Sequence, residues 1–95
     1  GLPEEAPVLT TRLHSNVPNP FNPSTTIHFS LAAGERVLME VFDLQGRRVA
    51  RLLDESLPAG EHSLRYRPDG LASGIYLLRL SAGEYPGSRR LVLLK

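Results

Sequence analysis

The sequence predicts an all-β domain, an immunoglobulin-like two-sheet antiparallel sandwich of about seven strands. Three observations carry that expectation. Apolar residues recur with period two in short runs, as half-buried strands require. The runs are separated by turn chemistry, with eight Pro and eight Gly spread along 95 residues. No stretch keeps a helical apolar period for longer than a turn.

Residues 1–8 read as linker, since Pro3, Glu4, Glu5 and Pro7 offer little to a core, and the domain is expected to span 9–95. Leu9, Thr11 and Leu13 alternate with polar neighbours, and so do Ile27, Phe29 and Leu31. Glu35 to Asp43 predicts a third strand with Val37, Met39 and Val41 on one face and Leu38, Glu40 and Phe42 on the other. The segment Asp43-Leu44-Gln45-Gly46 is a tight hairpin connection into a strand from Arg47 to Asp54. Alternation there is imperfect, because Val49 and Leu53 share a face with Arg51, and a bulge is expected.

Leu57-Pro58-Ala59-Gly60 turns the chain into a strand from Glu61 to Arg67. Pro68-Asp69-Gly70 then forms a turn in which Pro presets φ and Gly accepts a positive value. Gly74 to Leu80 is the next strand, with Tyr76, Leu78 and Leu80 on one face. Gly83 to Gly87 connects it to a last strand, Arg89 to Leu94. Apolar residues on both of its faces predict a well-covered position. The chain runs from that strand straight to Lys95, so its ending is expected to be coupled to the core.

Composition excludes several functions. One domain of ordinary apolar content, 41%, is expected, and the net charge of +1 supplies no field for nucleic acid. No apolar run approaches the ~18 residues of a membrane-spanning helix. Gly1 does not begin a signal peptide, so the chain is expected to follow a longer cargo. The absence of Cys removes disulfides, thiolate catalysis and Cys-zinc sites.

Individual residues point away from catalysis. His14, His28 and His62 lack the spacing of a compact metal site. Asp43, Asp54 and Asp69 fall where turns favour Asp for local hydrogen bonding. Ser73 lacks the flanking glycines of a nucleophile elbow. No enzyme activity and no cofactor are expected. In the block Asn19-Pro20-Phe21-Asn22-Pro23 the prolines and Asn side chains shape a loop, with Phe21 plugging the open end of the sandwich. Calcium binding by the Asn and nearby Asp side chains is the alternative there.

The ordered motifs resemble a known family. Asn19-Pro20-Phe21-Asn22-Pro23-Ser24-Thr25-Thr26-Ile27 is similar to the opening of type IX (Por) secretion system C-terminal sorting domains, type A. Phe42-Asp43-Leu44-Gln45-Gly46-Arg47-Arg48-Val49 resembles that family's aromatic-Asp-x-x-Gly-Arg-x-Val hairpin. Leu57-Pro58-Ala59-Gly60 and Leu71-Ala72-Ser73-Gly74-Ile75-Tyr76 match its Leu-x-x-Gly and Leu-x-x-Gly-x-Tyr elements. Arg89 to Lys95 fits its basic-apolar-Lys ending. Tyr66 stands where many members have Trp, and Arg89 and Arg90 where many have Lys. The resemblance covers about residues 16 to 95.

The resemblance implies a monomeric export domain that carries an N-terminal cargo through the periplasm of a Gram-negative bacterium. Its partners would be the type IX translocon and a surface sortase, and its destination the cell surface or the medium. Sortase cleavage would fall between about Gly1 and Thr10. Arg79, Arg89, Arg90 and Lys95 are the candidate recognition residues, against a reading in which they only solvate an edge strand. Asn19, Pro20, Phe21, Asn22, Pro23, Gly46, Gly60, Gly74 and Tyr76 are expected to shape the fold. The competing expectation is an accessory immunoglobulin-like module that binds carbohydrate or protein, with Phe42 and Tyr85 as its available aromatics.

Overall fold

A computed structural model of the chain describes residues 10–95. The expected linker 1–8, Leu9 and the proposed cleavage segment before Thr10 lie outside the described residues. The strands are β1 (Arg12–Leu13), β2 (Thr25–Leu31), β3 (Glu35–Phe42), β4 (Arg48–Leu57), β5 (Gly60–Tyr66), β6 (Gly74–Ala82) and β7 (Tyr85–Leu93). They form two antiparallel sheets, one in the order β1-β2-β5 and one in the order β4-β3-β6-β7. Relative to the seven-strand immunoglobulin arrangement, the fourth strand has crossed to pair with the third.

The predicted alternation builds the core. Ile27, Phe29 and Leu31 of β2 face Val37, Met39 and Val41 of β3 and Leu78 and Leu80 of β6, all 2% exposed or less. Leu13, Phe21, Tyr66, Ala82, Leu91 and Leu93 complete a single cluster drawn from both sheets. Burying a Leu, Ile or Phe side chain contributes about 1.5–3 kcal/mol, which makes this cluster the main source of stability.

Strand boundaries differ from the expectation in several places, the sixth strand for example continuing past Leu80 to Ala82. The fourth strand continues past Asp54 to Leu57, so Asp54 sits inside a strand opposite Leu38 and not at a turn. It is bulged twice, between Met39 and Glu40 and between Val41 and Phe42 on the partner strand, which accounts for the broken alternation at Val49 to Leu53. The fifth strand begins at Gly60 and ends at Tyr66.

The last strand begins at Tyr85, not Arg89, because Gly83-Glu84 alone closes the hairpin and Ala82 pairs with Tyr85. Pro86 and Gly87 therefore lie within β7. Pro is tolerated there because β7 is an edge strand, and the alternation directs the missing N–H of Pro86 away from β6. The well-covered position expected for the last strand comes from two different neighbours: β6 pairs with one edge, and the Asn-Pro loop covers the other.

Candidate functional site

The last strand is the point at which the opening Asn-Pro block and the basic-apolar ending meet. Its free edge is sealed by the Asn-Pro block. The Asn19 amide donates through Nδ2 to Arg90 O at 2.9 Å and accepts at Oδ1 from Val92 N at 2.9 Å. A single side chain thus reproduces the donor and acceptor of a peptide group. Phe21 continues the ladder with its backbone: its N–H donates to Val92 O at 2.9 Å and its carbonyl accepts from Leu94 N at 3.0 Å. The Phe21 ring is buried at 2% exposure, so the same residue closes the edge and fills the core.

The loop is braced from behind. Asn16, 3% exposed, donates to Thr25 Oγ1 at 3.0 Å, and Thr25 donates in turn to Pro18 O at 2.8 Å. Arg65 of β5 reaches Ser24 Oγ at 3.2 Å. Pro20, Asn22 and Pro23 are exposed and shape the turn without entering the core.

The inner face of β7 closes the seam between the sheets. Leu13 N donates to Tyr85 Oη at 2.9 Å, and Arg89 donates through Nε and a terminal nitrogen to Leu13 O at 3.2 and 3.0 Å. Two side chains of β7 replace the strand that β1 lacks on that side. Gly87 lies between them, and a Cβ there would stand 3.0 Å from Leu13 Cβ and 2.6 Å from the Tyr85 ring. This close approach had no signal in the sequence, where Gly87 reads as a turn residue.

Two further motifs have local explanations. In the β3–β4 connection, Asp43 Oδ1 accepts from Gln45 N and Arg47 N at 2.9 Å each, and Oδ2 accepts from Arg47 Nε at 2.9 Å. The backbone bond from Arg47, reinforced by its guanidinium, holds the Asp43 carboxyl below its usual value of 3.8. Gly46, at φ 85°, takes the turn position that side-chain-bearing residues avoid. In the segment before β6, Tyr76 donates to Ala72 O at 2.7 Å, the geometry of a tyrosine corner. Its ring is half-buried, less deep than its alternation alone implies.

Gly60 opens β5 opposite Leu31, and Gly74 opens β6 opposite Leu93. Burial of Tyr66 raises its hydroxyl pKa, as expected of an aromatic in the core. Ser73 is occupied structurally, accepting at Oγ from Lys95 N at 2.8 Å.

The four basic candidates do not form one patch. Arg89 points inward onto Leu13, whereas Arg90 points out of the four-stranded sheet, because successive strand residues face opposite ways. Arg79 shares the outer face with Arg90, its guanidinium 5.6 Å from the Phe42 ring centroid. Lys95 is exposed beyond the end of β7.

The fold also gathers residues that sequence distance kept apart. His14, His28 and His62, with Glu61 and Phe29, line one cavity of about 210 Å³. His62 stacks on Phe29 with ring centroids 5.2 Å apart. Among the described residues, no group of three or more His, Asp or Glu side chains is arranged to hold a metal ion.

These features define a small β-sandwich in which the Asn-Pro block holds the edge strand β7 and the other motifs fix local turns. Residues 17–94 match the family model described as Secretion system C-terminal sorting domain. The chain belongs to that family, the sorting signals of type IX secretion, which are not enzymes. No curated protein matches it. Membership identifies the chain as the sorting part of a secreted or cell-surface protein that engages the type IX machinery. Among the described residues no helix is long and apolar enough to cross a membrane.

Proposed function

We propose that this domain carries an N-terminal cargo across the periplasm of a Gram-negative bacterium and presents β7, folded and edge-sealed, to the type IX translocon. A surface sortase then cuts within the approach segment, between about Gly1 and Thr10, and joins the cargo to anionic lipopolysaccharide. Arg79, Arg90 and Lys95 are the exposed cations that the machinery reads, and Arg89 contributes by fixing the strand that bears them.

The observation that carries this reading is the convergence of the Asn-Pro block on β7. Asn19 and Phe21 bond a strand more than 70 residues away, so the opening and closing motifs of the family act as one unit. The carbohydrate-binding form of the rival reading, an accessory module that binds carbohydrate or protein, is weakened by two other contacts. Tyr85 is bonded to Leu13 and Phe42 lies beneath Arg79, which removes the two aromatics it relied on.

The test is a reporter fused ahead of residues 1–95 in a host with an active type IX system. Export of the reporter, with loss of export when the host translocon is deleted, is expected. A reporter that stays in the periplasm of the intact host would refute the proposal.

A further inference from the structure

The two outer faces of the sandwich differ in chemistry. On the three-stranded sheet, His28, Glu61, Ser63 and Arg65 point outward, and its strands place no large apolar side chain among them. On the four-stranded sheet the register sets Phe42 opposite Leu77 and Ile75 opposite Val92. This makes an apolar strip from β3 across β6 to β7, with Ile75 41% and Leu77 38% exposed.

Cations flank the strip. Arg79 covers its Phe42 end and Arg90 lies opposite Leu77. On the same face Glu40, the cross-strand partner of Arg79, is bonded by Arg48 and Arg51, and among the described residues neither Arg79 nor Arg90 forms an ion pair of its own. With Glu40 engaged by two other arginines, Arg79 and Arg90 leave an excess of positive charge beside the apolar strip, which fits one kind of surface best. That surface has an apolar centre and carboxylates at its rim, because guanidinium forks pair with carboxylates bidentately.

Building on the sorting reading above, we propose that this outer face, centred on Leu77 and flanked by Arg79 and Arg90, is the docking surface for an acidic protein component of the export machinery.

The experiment uses the reporter fusion with residues 1–95 intact. The paired change Arg79→Gln with Arg90→Gln, and separately Leu77→Ser, is expected to reduce export about tenfold or more, as for residues central to an interface. The control pair Glu61→Gln with Ser63→Ala on the opposite face is expected to export normally. Melting temperatures of the purified chains separate docking from folding, and if one face variant unfolds, the other decides. A photo-crosslinking residue replacing Ser88 should form a protein adduct in secreting cells that the Arg79→Gln, Arg90→Gln pair abolishes. Normal export by both folded face variants would overturn the inference while leaving the sorting reading intact. Failure of the unaltered fusion to export would remove both. Binding to lipopolysaccharide-containing vesicles that depends on Arg79 and Arg90, with no protein adduct, would assign the face to lipid and overturn the proposed partner.

Discussion

Arg89 of β7 donates two hydrogen bonds to the carbonyl oxygen of Leu13 on β1, at 3.2 and 3.0 Å, and so ties together the edges of two different sheets. The neighbouring Arg90 makes no comparable bond through its side chain and points to solvent on the other face of the same strand. Adjacent arginines therefore divide into one that holds the strand and one that is free to be read.

That division predicts opposite stability effects. Arg89→Ala should destabilise the domain by about 1.5–3 kcal/mol, the range for hydrogen bonds made by a charged group. Arg90→Ala should stay within about ±0.5 kcal/mol. Urea denaturation of the two variants is the check, and equal losses would contradict the assignment.

The edge seal depends on an amide at position 19. Asn19→Ala removes two hydrogen bonds and is expected to lose about 1–2 kcal/mol. Asn19→Asp should lose more, because a carboxylate would face the Arg90 carbonyl that the amide now donates to. Both variants should also self-associate more readily as the β7 edge becomes available for strand pairing. Light scattering at matched concentration measures this.

Gly87 and Gly34 form a contrasting pair. A Cβ on Gly87 would overlap the Tyr85 ring and Leu13, so Gly87→Ala should lose about 1–3 kcal/mol through overpacking. A Cβ on Gly34 would meet Leu57 O at an ordinary 3.6 Å, so Gly34→Ala should be neutral or gain up to about 1 kcal/mol from a less flexible unfolded chain. Thermal melts of the two should move apart.

Acid sensitivity follows from Asp43 and Asp54. Both carboxyls are lowered below 3.8, Asp43 by bonds from Arg47 and Asp54 by the Arg36 guanidinium. A depressed folded-state pKa means that the unfolded chain binds protons first as pH falls. The stabilisation is fully present above 3.8 and is lost as pH drops through the folded values. Asp43→Asn should melt lower than the parent at neutral pH and converge toward it near pH ~2. A constant difference across that range would exclude the linkage.

Much of the fold was legible because strand facing is local. Val37, Met39 and Val41, or Leu78 and Leu80, declare their face by the two-residue period of the backbone itself. The turn at Asp43 to Arg47 was legible for the same reason, since Asp and Gly act on neighbours within a few bonds. The separation of Arg89 from Arg90 was legible too, because adjacent strand residues cannot share a face. The start of β7 was misread because Pro86 and Gly87 signal a turn in isolation, and only the edge position of the strand lets them lie within it.

The sequence by itself determined the all-β class, the core faces, the turns and, through its ordered motifs, the family. Those properties depend on short-range backbone geometry and on residue order, both written along the chain. Tertiary structure alone decided that β7 is an edge, that Asn19 and Phe21 seal it, and that Arg89 clamps Leu13. It also decided that Phe42, Leu77 and Val92 share one exposed face and that the three histidines meet at one cavity. These relationships rest on hydrogen bonds and packing between residues up to 76 positions apart. No local pattern encodes such partners, because a strand carries the same alternation whichever neighbour it finally pairs with.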